Sequence, residues 1–143
     1  MRGFNAAEFA QIRQQRGYSV ADLARLSSVG LATLHHWEAE RVTPQIDRLV
    51  RVMAILETPI EEVIDLAPHE RYPGDWRVIR GLTQPELAAA AGIATTTLRA
   101  IERADVALTD TNAQALGHAL DISPAAYRAA YERARTRPPG TTA

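Results

Sequence analysis

Displaced against itself by 64 residues, the chain matches without a gap. Arg13 falls on Arg77, Arg16-Gly17 on Arg80-Gly81, Leu23-Ala24 on Leu87-Ala88, Thr33-Leu34 on Thr97-Leu98, Glu38 on Glu102 and Leu56 on Leu120. A repeat constrains the fold more than any single motif, because each copy must build the same kind of unit. The copies run over about residues 4–66 and 73–136 of 143. Length alone suggests one domain. The repeat argues for two, each near the lower size at which a helical core sustains itself.

The second copy holds the clearest local pattern, GLTQPELAAAAGIATTTLRAIER at 81–103. Thr83 is a helix cap, and Glu86 three residues on completes a capping box. Pro85 falls in the first turn, where a missing N–H costs nothing. Gly92 ends the helix by accepting a left-handed backbone. A second helix is predicted over 95–103. Leu87, Ala88, Ala91, Ile93, Leu98 and Ile101 make an apolar seam between the two. Thr95, Thr96, Arg99 and Arg103 make a polar, partly basic front, as a reader of the DNA major groove requires.

The blocks RGLTQPELA at 80–88, AGI at 91–93, TLRAIE at 97–102 and ALDIS at 119–123 resemble the lambda-repressor/Cro (Xre) family of helix-turn-helix proteins, and the spacing of all four fits. Through the repeat the resemblance covers nearly the whole chain. It implies an all-α protein of two tandem lambda-repressor-like five-helix domains. It also implies a sequence-specific DNA-binding transcriptional regulator, a repressor, with double-stranded DNA as partner. The expected domains are 1–66 and 75–136, with a linker at 67–74 (APHERYPG) and a disordered tail at 137–143.

In the first copy, helices are expected at 4–16, 20–26, 31–38, about 46–56 and 60–66. The second copy starts on a stub at 75–80, has a fourth helix at about 111–120, and ends in a longer helix from Pro124 to about Arg135. On that last helix Tyr127, Ala130, Tyr131 and Ala134 recur at helical spacing. They form either the closing face of the copy or the interface of a homodimer, since the family binds two-fold sites as dimers.

Carried over position by position, the resemblance puts Gln84 on a DNA phosphate and Thr95, Thr96 and Arg99 on base edges. Arg99 can fork onto guanine O6 and N7, and a Thr methyl can meet a thymine methyl. Arg77 and Arg103 are assigned to phosphates. The bland alternative is an exposed helix face with no partner. Ala94 is a poor cap, so Thr95 could instead be spent on capping. Thr97 is expected to make an internal hydrogen bond. Glu38 and Glu102 are expected to pair with Arg16 and Arg80, as the family's Arg–Glu pair does.

In the first copy Val20 replaces the helix-start Gln, and the base-facing positions hold Leu31, Ala32, His35 and His36. Leu and Ala can meet thymine methyls and His can donate to guanine, yet two apolar residues at a helix tip also suit a protein partner. The rival function is therefore a protein-interaction module, an antitoxin or anti-activator, docking through the first domain. His35-His36 makes no metal site, because adjacent helical residues point apart and no Cys or carboxylate cluster completes a set.

Charge is unusual for a DNA binder: the net is −1 and the pI about 6.4. Residues 1–66 carry seven Arg against nine acids and residues 67–143 nine against eight. With no Cys, disulfides, cysteine catalysis and cysteine-based zinc sites are excluded. No glycine-rich phosphate loop, nucleophile elbow or carboxylate pair points to an enzyme or a cofactor. No apolar run reaches the length of a membrane span and the first residues lack a signal-peptide core, so a cytoplasmic protein without a membrane partner is expected.

Overall fold

In the computed structural model, which describes residues 1–143, helices form where the apolar stripes and caps demand them. The chain is all-α, with nine α-helices and two 3-10 turns, and it divides into units at 1–65 and 66–143.

The first unit holds α1 (Ala6–Gln15), α2 (Val20–Ser27), α3 (Leu31–Glu38) and α4 (Ile46–Ile55), closed by a 3-10 turn at Ile60–Val63. Asn5 caps α1 by accepting from the Glu8 N–H, and Ser19 caps α2 by accepting from Asp22 N–H. The first helix is shorter than the expected 4–16. Phe4 stays extended and bridges Ile64, with Asn5 N–H donating to Val63 O at 2.8 Å and Asp65 N–H to Gly3 O at 2.7 Å. These bonds also explain why the fifth helix shrinks to one turn, because residues 63–65 are drawn out to pair with residues 3–5. Phe9, Ile12, Leu23, Leu34, Trp37, Leu49, Met53 and Leu56 fill the core. Phe9 and Trp37 meet edge-on with ring centres 5.9 Å apart, a favoured aromatic geometry.

The second unit holds α5 (Pro73–Ile79), α6 (Gln84–Ala91), α7 (Thr95–Glu102), α8 (Asp110–Leu120) and α9 (Pro124–Arg135). The repeat is visible in the packing. Leu87, Leu98, Ile101, Ala113, Leu116 and Leu120 are buried, as are Leu23, Leu34, Trp37, Leu49, Val52 and Leu56 one repeat earlier. Pro73 occupies the place of Phe9 and is likewise buried. The stub expected at 75–80 therefore begins two residues earlier. Pro73 takes the first helical position, and Asp75 accepts from the Tyr72 N–H at 2.8 Å.

The segment 67–74, expected as a linker, is part of the second unit. Residues 68–70 form a 3-10 turn, and Arg71 is buried with its guanidinium 4.4 Å from the centre of the Trp76 ring. Arg133 of α9 donates to Arg71 O at 2.8 Å and Pro68 O at 3.2 Å. The tail is also tied back: Arg137 donates to Ala134 O, Arg103 O and Thr141 O. The face of α9 read as a possible dimer interface is internal. Tyr127, Ala130, Tyr131 and Ala134 are buried within the unit, which removes that route to a homodimer.

Candidate nucleic-acid interface

The helix-turn-helix of the second unit is built as its caps require. Thr83 N–H donates to Glu86 Oε1 at 3.1 Å and Glu86 N–H donates to Thr83 Oγ1 at 3.3 Å. Hydrogen bonding by the Thr83 side chain, and then by its backbone N–H, holds the Glu86 carboxyl below its ordinary pKa. Gly92 adopts φ 70°, turning the chain from α6 into α7. One repeat earlier Ser28 makes the same turn at φ 57°, a conformation that favours glycine.

On α7, Leu98, Ile101 and Glu102 point inward, while Thr96, Arg99 and Arg103 are exposed at positions i, i+3 and i+7. These three share one outward face. Thr95 is half-buried, and the Ala94 cap makes no side-chain bond. Thr97 and Thr33 make no side-chain hydrogen bond, contrary to expectation; both are half-buried at the helix flank. Arg103 is paired with Asp105 at 3.0 Å. Gln84 is half-buried, with its amide Nε2 donating to Glu102 Oε1 at 2.9 Å and its Oε1 accepting from Arg99 Nε at 3.4 Å.

Arg77 does not reach the interface. Its side chain is 13% exposed, it donates to both oxygens of Glu102, and its Nη1 donates to Leu82 O at 2.9 Å. The phosphate role expected of it is withdrawn, because this guanidinium serves the interior. The partner expected for Glu102 is corrected at the same time. Arg80 lies elsewhere, donating to Leu120 O at the end of α8 at 2.8 Å. The first unit repeats the pattern with Arg13 on both oxygens of Glu38, so Arg16 is not the partner there either.

The first unit presents a different front. Leu31 is 47% exposed at the start of α3, Ala32 and His35 are exposed, and His36 is half-buried. Leu26, near the end of α2, is 45% exposed and carried no sequence signal. No His joins a group of three residues able to hold a metal ion. The sequence also concealed the bonds of Gln84 to Glu102 and Arg99, since the partners stand 18 and 15 residues away.

Compared with known protein families, the chain matches the helix-turn-helix family twice, over residues 9–63 and 75–127. It is a tandem helix-turn-helix protein of the Xre, lambda-repressor type. The two matches span most of the chain and correspond to the two units. Members of this family are DNA-binding regulators. No curated protein matches the chain. No helix in this tandem helix-turn-helix protein is long and apolar enough to cross a membrane.

Proposed function

We propose that this protein is a sequence-specific transcriptional repressor in which the second unit reads DNA. The observation that carries the reading is the exposed face of α7. Thr96 and Arg99 supply a methyl group and a donor fork for base edges in the major groove, and Thr95 borders them. Arg103, at the end of the same face, is suited to a phosphate, and Gln84 lies beside Arg99. The near-neutral charge goes with modest non-specific affinity and a shallow salt dependence, so discrimination rests on base contacts. The test is binding of the purified protein to labelled DNA from upstream of its own gene, beside scrambled DNA, at several salt concentrations. A preference of about a hundredfold or more is expected. Equal, weak binding to both rejects the reading.

A second reading is favoured by the first unit alone, whose front is apolar where that of the second is cationic. Val20 stands in place of Gln84, Leu31 and Ala32 in place of Thr95 and Thr96, and His35 in place of Arg99. Such a surface suits a protein partner, as in an antitoxin or anti-activator, as well as it suits an adjacent DNA half-site. Leu31→Glu separates the two: loss of a pulled-down partner with DNA affinity unchanged supports docking, and loss of DNA affinity supports a second reading head.

A further inference from the structure

Gln84 stands between two groups with opposite and incomplete bonding capacities. A carboxylate only accepts and a guanidinium only donates, whereas a primary amide does both. Gln84 donates from Nε2 to Glu102 and accepts at Oε1 from Arg99. Only one orientation of the amide satisfies both neighbours. Turned over, it would set oxygen against carboxylate and NH2 against guanidinium. Glu102 is itself fixed, its side chain 6% exposed and held by Arg77, which is anchored in turn on Leu82 O. A continuous series of bonds thus runs from a buried ion pair to an exposed arginine on the outward face of α7. In the first unit the same ion pair is present, but Val20 and His35 occupy the places of Gln84 and Arg99, and the series stops at the carboxylate.

We propose that Gln84 is a positioning residue for base reading, transmitting the fixed location of Glu102 to Arg99. This inference rests on Arg99 being a base reader. With Nε engaged by Gln84, the side-on approach of the guanidinium is taken. Nη1 and Nη2, which have no partner in the free protein, remain as the end-on fork for guanine O6 and N7. Holding the side chain before DNA arrives reduces the ordering that binding would otherwise require. This role differs in kind from a phosphate contact, which carries no sequence information.

The experiment is selection from a randomised duplex library with the wild type, Arg99→Ala, Gln84→Met and the double variant. Met keeps the length of Gln and lacks both hydrogen bonds. Gln84→Met is expected to lose the same guanine preference as Arg99→Ala, by about tenfold at one position, with the double variant no worse there than Arg99→Ala. In the DNA-free wild type, the Arg99 Nε–Hε group should be more ordered by NMR relaxation than that of the exposed Arg51, and Gln84→Met should abolish the difference. If Gln84→Met keeps the guanine preference and weakens all duplexes alike, the positioning role is overturned and base reading by Arg99 stands. If Arg99→Ala alters no base preference, both are overturned. A wild-type Arg99 as mobile as Arg51 overturns the positioning role without any DNA measurement.

Discussion

Arg77 grips Glu102 through two charge-assisted bonds, Nε to Oε2 at 2.7 Å and Nη2 to Oε1 at 3.2 Å, in the interior of the second unit. Arg13 and Glu38 make the same pair one repeat earlier, at the same separation of 25 residues. The clamp is thus common to both units, whereas the surfaces beside it are not. It joins α5 to α7, and α1 to α3, so the helix that faces outward is secured from behind.

Breaking the clamp on one side leaves a buried charge. Arg77→Met is expected to destabilise the second unit by about 3–5 kcal/mol, as for other buried pairs that lose one partner. Arg77→Met with Glu102→Met should cost less than Arg77→Met alone. Urea unfolding followed by circular dichroism measures both.

Tyr127 takes the place of Val63 in the repeat, and its hydroxyl is buried with no partner. Tyr127→Phe is therefore expected to raise stability by about 1 kcal/mol, since an unsatisfied hydroxyl is removed from the core. Burial, and then the negative charge of Glu102, push the Tyr127 pKa well above its ordinary value of 10.0. A phenol whose pKa rises on folding contributes stability that is complete below pH 10 and is lost as the pH climbs beyond it. The wild type should lose stability in that alkaline range, and Tyr127→Phe should lose less, as thermal unfolding across pH 9–12 would record.

Ser28 makes in the first unit the left-handed turn that Gly92 makes in the second. For a non-glycine residue this conformation costs roughly 1–2 kcal/mol, offset in part by the greater freedom of glycine in the unfolded chain. Ser28→Gly should stabilise the first unit by about 0.5–1 kcal/mol, and Gly92→Ala should destabilise the second by about 1 kcal/mol. Nothing lies within 4 Å of the added Cβ at Gly92, so no steric clash adds to these backbone effects.

Arg103 and Asp105 are expected to act on affinity without touching specificity. Arg103→Ala should weaken every duplex alike and reduce the slope of log K against log salt by about one. Asp105→Asn removes the carboxylate that partly neutralises Arg103 and should strengthen binding to any duplex. Titrations at a series of salt concentrations distinguish the two.

Much of this architecture was legible in the sequence. The repeat set the number of units, and the Thr83–Glu86 and Ser19 caps and Gly92 located the helix ends, because these signals act within a few residues. The errors lay where a choice depended on distant groups. Arg13 and Arg16 are one helical turn apart, as are Arg77 and Arg80, so periodicity alone could not say which would meet Glu38 or Glu102. Two prolines and a glycine made 67–74 read as a spacer, yet Pro73 is favourable at a first helical position, and the carbonyl of Arg71 is met by Arg133, 62 residues away. In the interface, the outward face of α7 followed from its spacing, whereas the bonds of Gln84 did not, because they form only when α6 and α7 pack.

The docking of residues 66–72 against Trp76 and α9 has a practical consequence: the exchangeable cassette is longer than the repeat. A second domain cut at Asp75 would lose the Arg71 cover of Trp76, the Pro73 start of α5 and both carbonyls that receive Arg133. Grafting this second unit onto another protein, or swapping the two units, calls for a cut between Asp65 and Leu66.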